Sequence, residues 1–214
     1  MNTHSTGQLQ ALQIAQVIDN QDPDRRGRVK VRMQASSLEL WASVVVPSAG
    51  QDYGTSFLPR LDEIVVVSFI SHDVPMVLGS VWQGAESQPE VATPVEEKYA
   101  VKTPSGTVFE FSDEEPKASL TTRSGYNITI DESSGGEIRI ERGTQTVTLS
   151  TSSIDIDSSG PVNINAATVN VSASMVQVDA GMSKFSGVVQ CDTIIATSVV
   201  GSTYTPGAGN IWLR

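Results

Sequence analysis

The sequence predicts an all-β protein, a small closed barrel followed by a β-helix or β-prism, and three observations lead there. In the last third, Ile154-Asp-Ile156, Val162-Asn-Ile164, Val169-Asn-Val171 and Val176-Gln-Val178 follow one another at steps of eight, seven and seven residues. An apolar side chain at every second position turns one face inward, and a short fixed period means that the core exists only where layers stack. Aromatic residues make up only 6% of the chain while Ser, Thr, Val and Gly are plentiful, which favours strands over helices built from Leu, Ala, Glu and Lys. Between Leu9 and Gly84, finally, apolar runs alternate with dense turn formers.

The elements of that first region follow in order. After a polar start over residues 1–8, Leu9 to Ile18 carries a first strand, and Asp19 to Gly27 is rich in Asp, Asn, Pro and Gly. Arg28 to Met33 alternates strictly, so that Val29, Val31 and Met33 face a core while Arg28, Lys30 and Arg32 face solvent. Leu40 to Val46 forms a third apolar run ended by Pro47, and Ser48 to Gly54 reads as a loop. Ile64 to Ile70 is the strongest strand signal, and Asp73-Val-Pro75 turns into Met76 to Trp82. Five short strands leave exposed edges unless they close, so residues 9–84 read as a barrel of the OB type.

Residues 85–98 hold Pro89, Pro94 and several Glu without periodicity and read as a linker. From Tyr99, hairpin-like strands at Thr107–Phe111, Asn127–Ile130, Glu137–Ile140 and Thr146–Leu149 lead into the regular repeats, with Gly106, Gly125, Gly135, Gly136 and Gly143 at the corners. The second region therefore spans residues 99–203, with 204–214 as its cap. About 100 residues at seven or eight per strand give roughly 13 strands, and ~4.7 Å per layer extends them over the order of 60 Å. Periodicity predicts the same inward residues for a single-chain solenoid and for an intertwined trimer.

Net charge is −10 over 214 residues, with 18% charged and 39% hydrophobic residues. Such a chain is globular, and its acidity opposes binding to nucleic acid or anionic lipid. Cys191 is the only cysteine, so no intrachain disulfide forms, and it reads as a small buried side chain. The polar residues 1–8 predict no signal peptide, and no apolar run is long enough to span a membrane as a helix.

A set of residues then carries a specific resemblance. Gly27-Arg-Val-Lys-Val31, Trp41, Val44-Val-Val-Pro47, Ala49-Gly50, Phe57-Leu-Pro59, Asp62-Glu63, Val66-Val-Ser-Phe69 and Pro75-Met-Val-Leu-Gly-Ser80 occur in order and at matching spacing. They resemble the OB domain shared by phage baseplate assembly protein V and the spike proteins of type VI secretion. With the distal repeats, the resemblance implies an OB-fold barrel followed by an intertwined trimeric β-helix, the needle of a contractile tail's central spike. The trimer core would then comprise Ile154, Ile156, Val162, Ile164, Val169, Val171, Val176 and Val178.

The barrel begins close to residue 1, whereas type VI spikes place large hub domains before it, so a separate baseplate hub protein is implied as a partner. Arg28, Lys30 and Arg32 are the candidates for that contact. Related small spikes hold an iron ion at the apex in a His-x-His motif, but His4 and His72 are the only histidines here, so no cofactor is expected. Tyr204, Pro206, Ile211, Trp212 and Leu213 instead suit an apex that packs on itself or seats a separate PAAR-type tip protein. The linker leaves no room for an inserted lysozyme domain.

The implied function is mechanical: a homotrimeric spike in the baseplate of a virion or phage-tail-like particle (phage or tailocin), made in the bacterial cytoplasm. On sheath contraction it would pass through a target outer membrane. Two other readings stand beside it. A single-stranded nucleic-acid-binding OB protein would use Arg25, Arg26, Arg28, Lys30 and Arg32 as a basic run, though few aromatics interleave with them. A β-helix polysaccharide-degrading enzyme would need a carboxylate pair such as Asp155 and Asp157, which alternation places on one outward face without a groove. Neither nucleic-acid binding nor catalysis is expected.

Overall fold

A computed structural model describes residues 12–71, 73–133 and 135–203. The chain divides into two units, one up to Val162 and one from Asn163. The first contains every strand of the described residues: β1 (Gln13–Asp19), β2 (Arg28–Met33), β3 (Glu39–Val44), β4 (Ala49–Gly50), β5 (Tyr53–Gly54), β6 (Ile64–Ser71) and β7 (Val74–Val81) come first. After a 3₁₀ turn at Glu90–Ala92 follow β8 (Lys98–Lys102), β9 (Val108–Ser112), β10 (Lys117–Thr121), β11 (Tyr126–Asp131), β12 (Glu137–Arg142), β13 (Gln145–Ser150) and β14 (Ile154–Asp157).

Five of the first strands close into a barrel in the order β1-β2-β3-β7-β6. Neighbours are antiparallel except β3 and β7, which run parallel with Ser43 opposite Met76, and β6 returns to β1 with Gln13 opposite Val67. The alternation of Arg28 to Met33 does what its pattern requires: Val29 and Val31 are fully buried and Met33 is 2% exposed. Ala15, Val17, Ala42, Val65, Val67 and Val77 complete the core, with Leu40, Val44 and Phe69 packed around it. Each fully buried Val stabilises the fold by roughly 2 kcal/mol, and closure leaves no strand edge for foreign pairing.

Two local details differ from the sequence expectation. Val74 and Pro75 belong to β7 rather than to a turn, and Pro75 faces Phe69 beside a register shift, where a missing N–H costs little. Ser48 to Gly54, read as a loop, holds the small hairpin β4–β5. Gly54 sits at φ +146° in that hairpin, and a Cβ there would collide with the Ser48 carbonyl.

The later strands form one seven-stranded antiparallel meander in sequence order from β8 to β14. The strands expected at 107–111, 127–130, 137–140, 146–149 and 154–156 appear as β9, β11, β12, β13 and β14, and β8 and β10 are added between them. Two of the connecting turns repeat one device. In Thr103-Pro-Ser-Gly-Thr107 and Thr122-Arg-Ser-Gly-Tyr126, the Thr hydroxyl accepts the N–H four residues on, at 3.1 Å in both. The glycines, at φ +90° and +80°, supply the left-handed step.

From Val162 onward the expected strands at 162–164, 169–171 and 176–178 are not paired in the single chain. Their apolar residues are exposed, Ile164 at 75% and Val178 at 72%. A strand with alternating valines acquires its ladder only from a neighbouring strand, and none pairs with these segments among the described residues. Cys191, expected to be buried, is exposed for the same reason.

Candidate assembly surfaces

The barrel first presents its cations. Arg28, Lys30 and Arg32 lie on the outward side of β2, as the alternation requires, but each is engaged by a carboxylate of its own barrel. Arg28 Nη2 meets Asp22 Oδ1 and Asp24 Oδ2, each at 2.7 Å, and its guanidinium stands 5.7 Å from the centre of the Trp41 ring. Lys30 Nζ and Arg32 Nη2 share Glu39, at 3.0 and 2.8 Å. Glu39 is positioned by the β2–β3 register, in which it pairs with Arg32.

Asp22 organises the whole β1–β2 connection. Its carboxylate accepts the side chain of Arg28 and the backbone N–H groups of Arg26, Arg28 and Asp24. The Arg28 guanidinium, joined by those N–H groups, holds the carboxyl well below the usual range. Glu39 is lowered by Arg32 and then Lys30. Three of the five cations of the basic run, Arg28, Lys30 and Arg32, are thus paired within their own chain, which reduces the positive charge open to a nucleic-acid strand.

The meander presents a different surface. Its register aligns the apolar residues of one face into two rows that cross every strand. Val101, Phe109, Leu120, Ile128, Ile140, Val147 and Ile156 are mutual partners in one row. Tyr99, Phe111, Ala118, Ile130, Ile138, Leu149 and Ile154 form the other. Phe109 and Phe111 meet edge to face at 4.7 Å.

The opposite face is polar and tied together by ion pairs: Lys98 with Glu110 at 2.7 Å, Arg139 with Glu141 at 2.7 Å and Lys117 with Asp131 at 4.0 Å. Burial is inverted between the two faces. Ser112 and Thr129, on the polar face, are buried, whereas Ile128 in the middle of an apolar row is 43% exposed and Ile140 is 49% exposed. Single exposed hydrophobics are ordinary, but a continuous apolar face larger than a few hundred Å² marks a contact surface.

The candidate trimer-core residues fall into two groups. Ile154 and Ile156 end the two rows on β14, and Val162, Ile164, Val169, Val171, Val176 and Val178 are exposed beyond the last strand. Asp155 and Asp157 project from the polar side of the same edge strand, where Ser153 Oγ donates to Asp155 at 2.6 Å. A groove of about 540 Å³ on the first unit is lined by Ile140, Val147, Ile156 and Val162 together with the carboxylates Glu141 and Asp157, with Arg142 stacked on Tyr126 at 4.5 Å. It continues the end of the apolar face, and Glu141 is held by Arg139 and Asn127. Among the described residues no three His, Cys, Asp or Glu side chains are grouped to hold a metal ion. Tyr204, Pro206, Ile211, Trp212, Leu213, His4 and His72 lie outside the described residues.

Sequence reasoning missed the two continuous rows, since β8 and β10 carry only Tyr99 and Val101, and Ala118 and Leu120. The repeated Thr-x-Ser-Gly turn, nineteen positions apart at Thr103 and Thr122, was the signal that would have located both strands. Among curated proteins, none matches the chain. A family model, the type VI secretion system/phage-baseplate injector OB domain, matches residues 13–82, which are the barrel from the first residue of β1 to Trp82. The closed five-stranded barrel of this chain therefore matches the OB domain of the type VI secretion and phage-baseplate injector family.

Proposed function

We propose that the protein is the homotrimeric central spike of a contractile injection machine, held by the baseplate hub through its barrel and driven through a target outer membrane when the sheath contracts. The observation that carries this reading is the pair of apolar rows left open on the meander. Each strand contributes two apolar residues to that face, and β11 adds Tyr126 as a third, a width suited to one wall of a narrow prism. Three such walls facing a shared axis would bury the rows of all three copies. Beyond them, the apolar pairs from Val162 to Val178 would find in neighbouring chains the ladder partners they lack, forming the intertwined β-helix.

The role asks for stiffness and no chemistry. Interchain ladders remove lateral edges, make folding inseparable from association and slow unfolding, because many bonds must break together. Net negative charge limits adhesion to anionic lipid during passage. Arg28, Lys30 and Arg32 are the proposed hub contacts, which would share the carboxylates of Asp22, Asp24 and Glu39. Residues 204–214 would make the apex, packed on itself or capped by a PAAR-type tip protein, without a bound metal.

Light scattering after size exclusion tests the assembly: a mass three times the 22.8 kDa chain is expected, and a monomer refutes the reading. Particles carrying the chain truncated after Gly84 should contract without penetrating the envelope. Undiminished killing or infection by such particles would remove the needle from the mechanism.

A further inference from the structure

The antiparallel meander has two rims, and they carry opposite charge. Turns 103–107, 122–125 and 143–144 lie along one, and turns 113–116, 132–136 and 151–153 along the other, because successive strands reverse direction. On the second rim stand Glu97, Asp113, Glu114, Glu115, Glu132 and Glu137. The two lysines beside them are spent elsewhere, Lys98 on Glu110 and Lys117 on Asp131. The charge there is only partly compensated: Glu114 in particular pushes the Glu97 carboxyl above its ordinary range, against a smaller opposing effect of Lys98.

The first rim carries Lys102, Arg123 and Arg142. Lys102 and Arg123 have no ion-pair partner among the described residues, and Arg142 stacks on Tyr126. Of the carboxylates at this rim, Glu141 is satisfied by Arg139 and Asn127, which leaves Asp157. An acidic chain has thus gathered free cations along one long boundary of its apolar face and free anions along the other.

We propose that copies of this chain join rim to rim, the basic boundary of one meander docking on the acidic boundary of the next, so that one repeated heterologous contact closes the ring around the apolar rows. The inference rests on the trimeric spike and adds to it the order and chemistry of the contact. Rotation about an axis parallel to the rows brings the first rim of each copy to the second rim of its neighbour, and every contact is then the same. A face-to-face pair turned about an axis along the strands would instead set acid against acid, which costs several kcal/mol in like-charge contact. Charge complementarity therefore selects a cyclic order over that pair.

The test uses the full-length protein in three forms. Lys102→Glu with Arg123→Glu reverses one rim, Glu114→Lys with Glu132→Lys reverses the other, and a third chain carries all four changes. Circular dichroism confirms that each is folded, and dissociation is followed at a fixed guanidinium concentration at low and high salt. Each single-rim variant should dissociate about tenfold faster than the native chain at low salt. The difference should shrink near 1 M salt, where screening acts over about 3 Å, and the fourfold variant should return to within about twofold of native.

General repulsion predicts otherwise, since the first variant makes the chain more acidic and the second less, and their effects would then oppose each other. Opposite effects, no effect in either variant, or no rescue in the fourfold chain would each overturn the rim contact while leaving a native trimer intact. A native mass of two chains would overturn it as well, and a native monomer would sink the spike reading along with it.

Discussion

Ile128→Ala gives the sharpest measure of whether the open face of the meander is an interior. Ile128 is the central residue of its row, between Leu120 and Ile140, and is 43% exposed in the single chain. If the face stays in water, truncation removes a side chain already half solvated and costs about 1 kcal/mol or less. If three copies bury it, each loses a packed interior side chain at about 2–5 kcal/mol, or roughly 6–15 kcal/mol per trimer. Guanidinium unfolding at several protein concentrations separates these cases, because a trimer's midpoint moves with concentration and a monomer's does not. The control is Ser119→Ala, next to Leu120 but on the polar face, expected to fall within about 0.5 kcal/mol of native. Equal small effects from both substitutions, with a midpoint independent of concentration, would refute the reasoning.

Three further outcomes follow from the local geometry. Asp22→Asn removes the charge-assisted acceptor of the β1–β2 connection, so amide exchange at Arg26 and Arg28 should accelerate at least about tenfold while Val29 and Val31 stay protected; unchanged exchange would contradict the clamp. Asp22, Glu39, Asp131 and Glu141 all have lowered carboxyls, so the stability they contribute is present above the unfolded value, near about 4, and is lost as pH falls through their folded values. Glu97 is raised and acts in the opposite sense, gaining as pH falls, so a melting temperature that drops below about pH 4 is expected, and one that rises would reverse the balance. Gly54→Ala places a Cβ against the Ser48 carbonyl at a positive φ and should cost about 1–3 kcal/mol by thermal melting; a neutral result would mean that the β4–β5 hairpin contributes nothing.

The barrel was legible because its solution lies within one chain. Val29, Val31 and Met33 alternate against Arg28, Lys30 and Arg32, and the strand marked by Ile64 to Ile70 buries Ile64, Val65 and Val67, so pattern and closure agree. What the pattern hid was the fate of the cations: Glu39 reaches Lys30 and Arg32 only through the β2–β3 register. β8 and β10 escaped notice because each brings only two residues to the rows, between charged or hydroxylated neighbours. Their placement turns loose hairpins into a continuous sheet and creates the rows. The acidic cluster from Glu96 to Glu115 was visible in the sequence, but its segregation from Lys102, Arg123 and Arg142 depends on which turns share a side, and that follows only from counting strands. The pairs from Val162 to Val178 show the reverse case, a clear pattern that finds no ladder partner among the described residues.

Seven is an odd number, and that parity steers the polypeptide. The chain enters the meander beside Glu97 and leaves at Asp157 on the other side, where Ser159 bonds to Thr144 at 2.7 Å; an even count would have sent it home to its starting side. In the proposed ring the exit side of one subunit would adjoin its neighbour, so the residues after Asp157 would be handed across the junction. Subunits braided in that way would not be swapped one at a time, and mixing two tagged populations after synthesis should yield no hybrids, whereas co-expression should yield them freely.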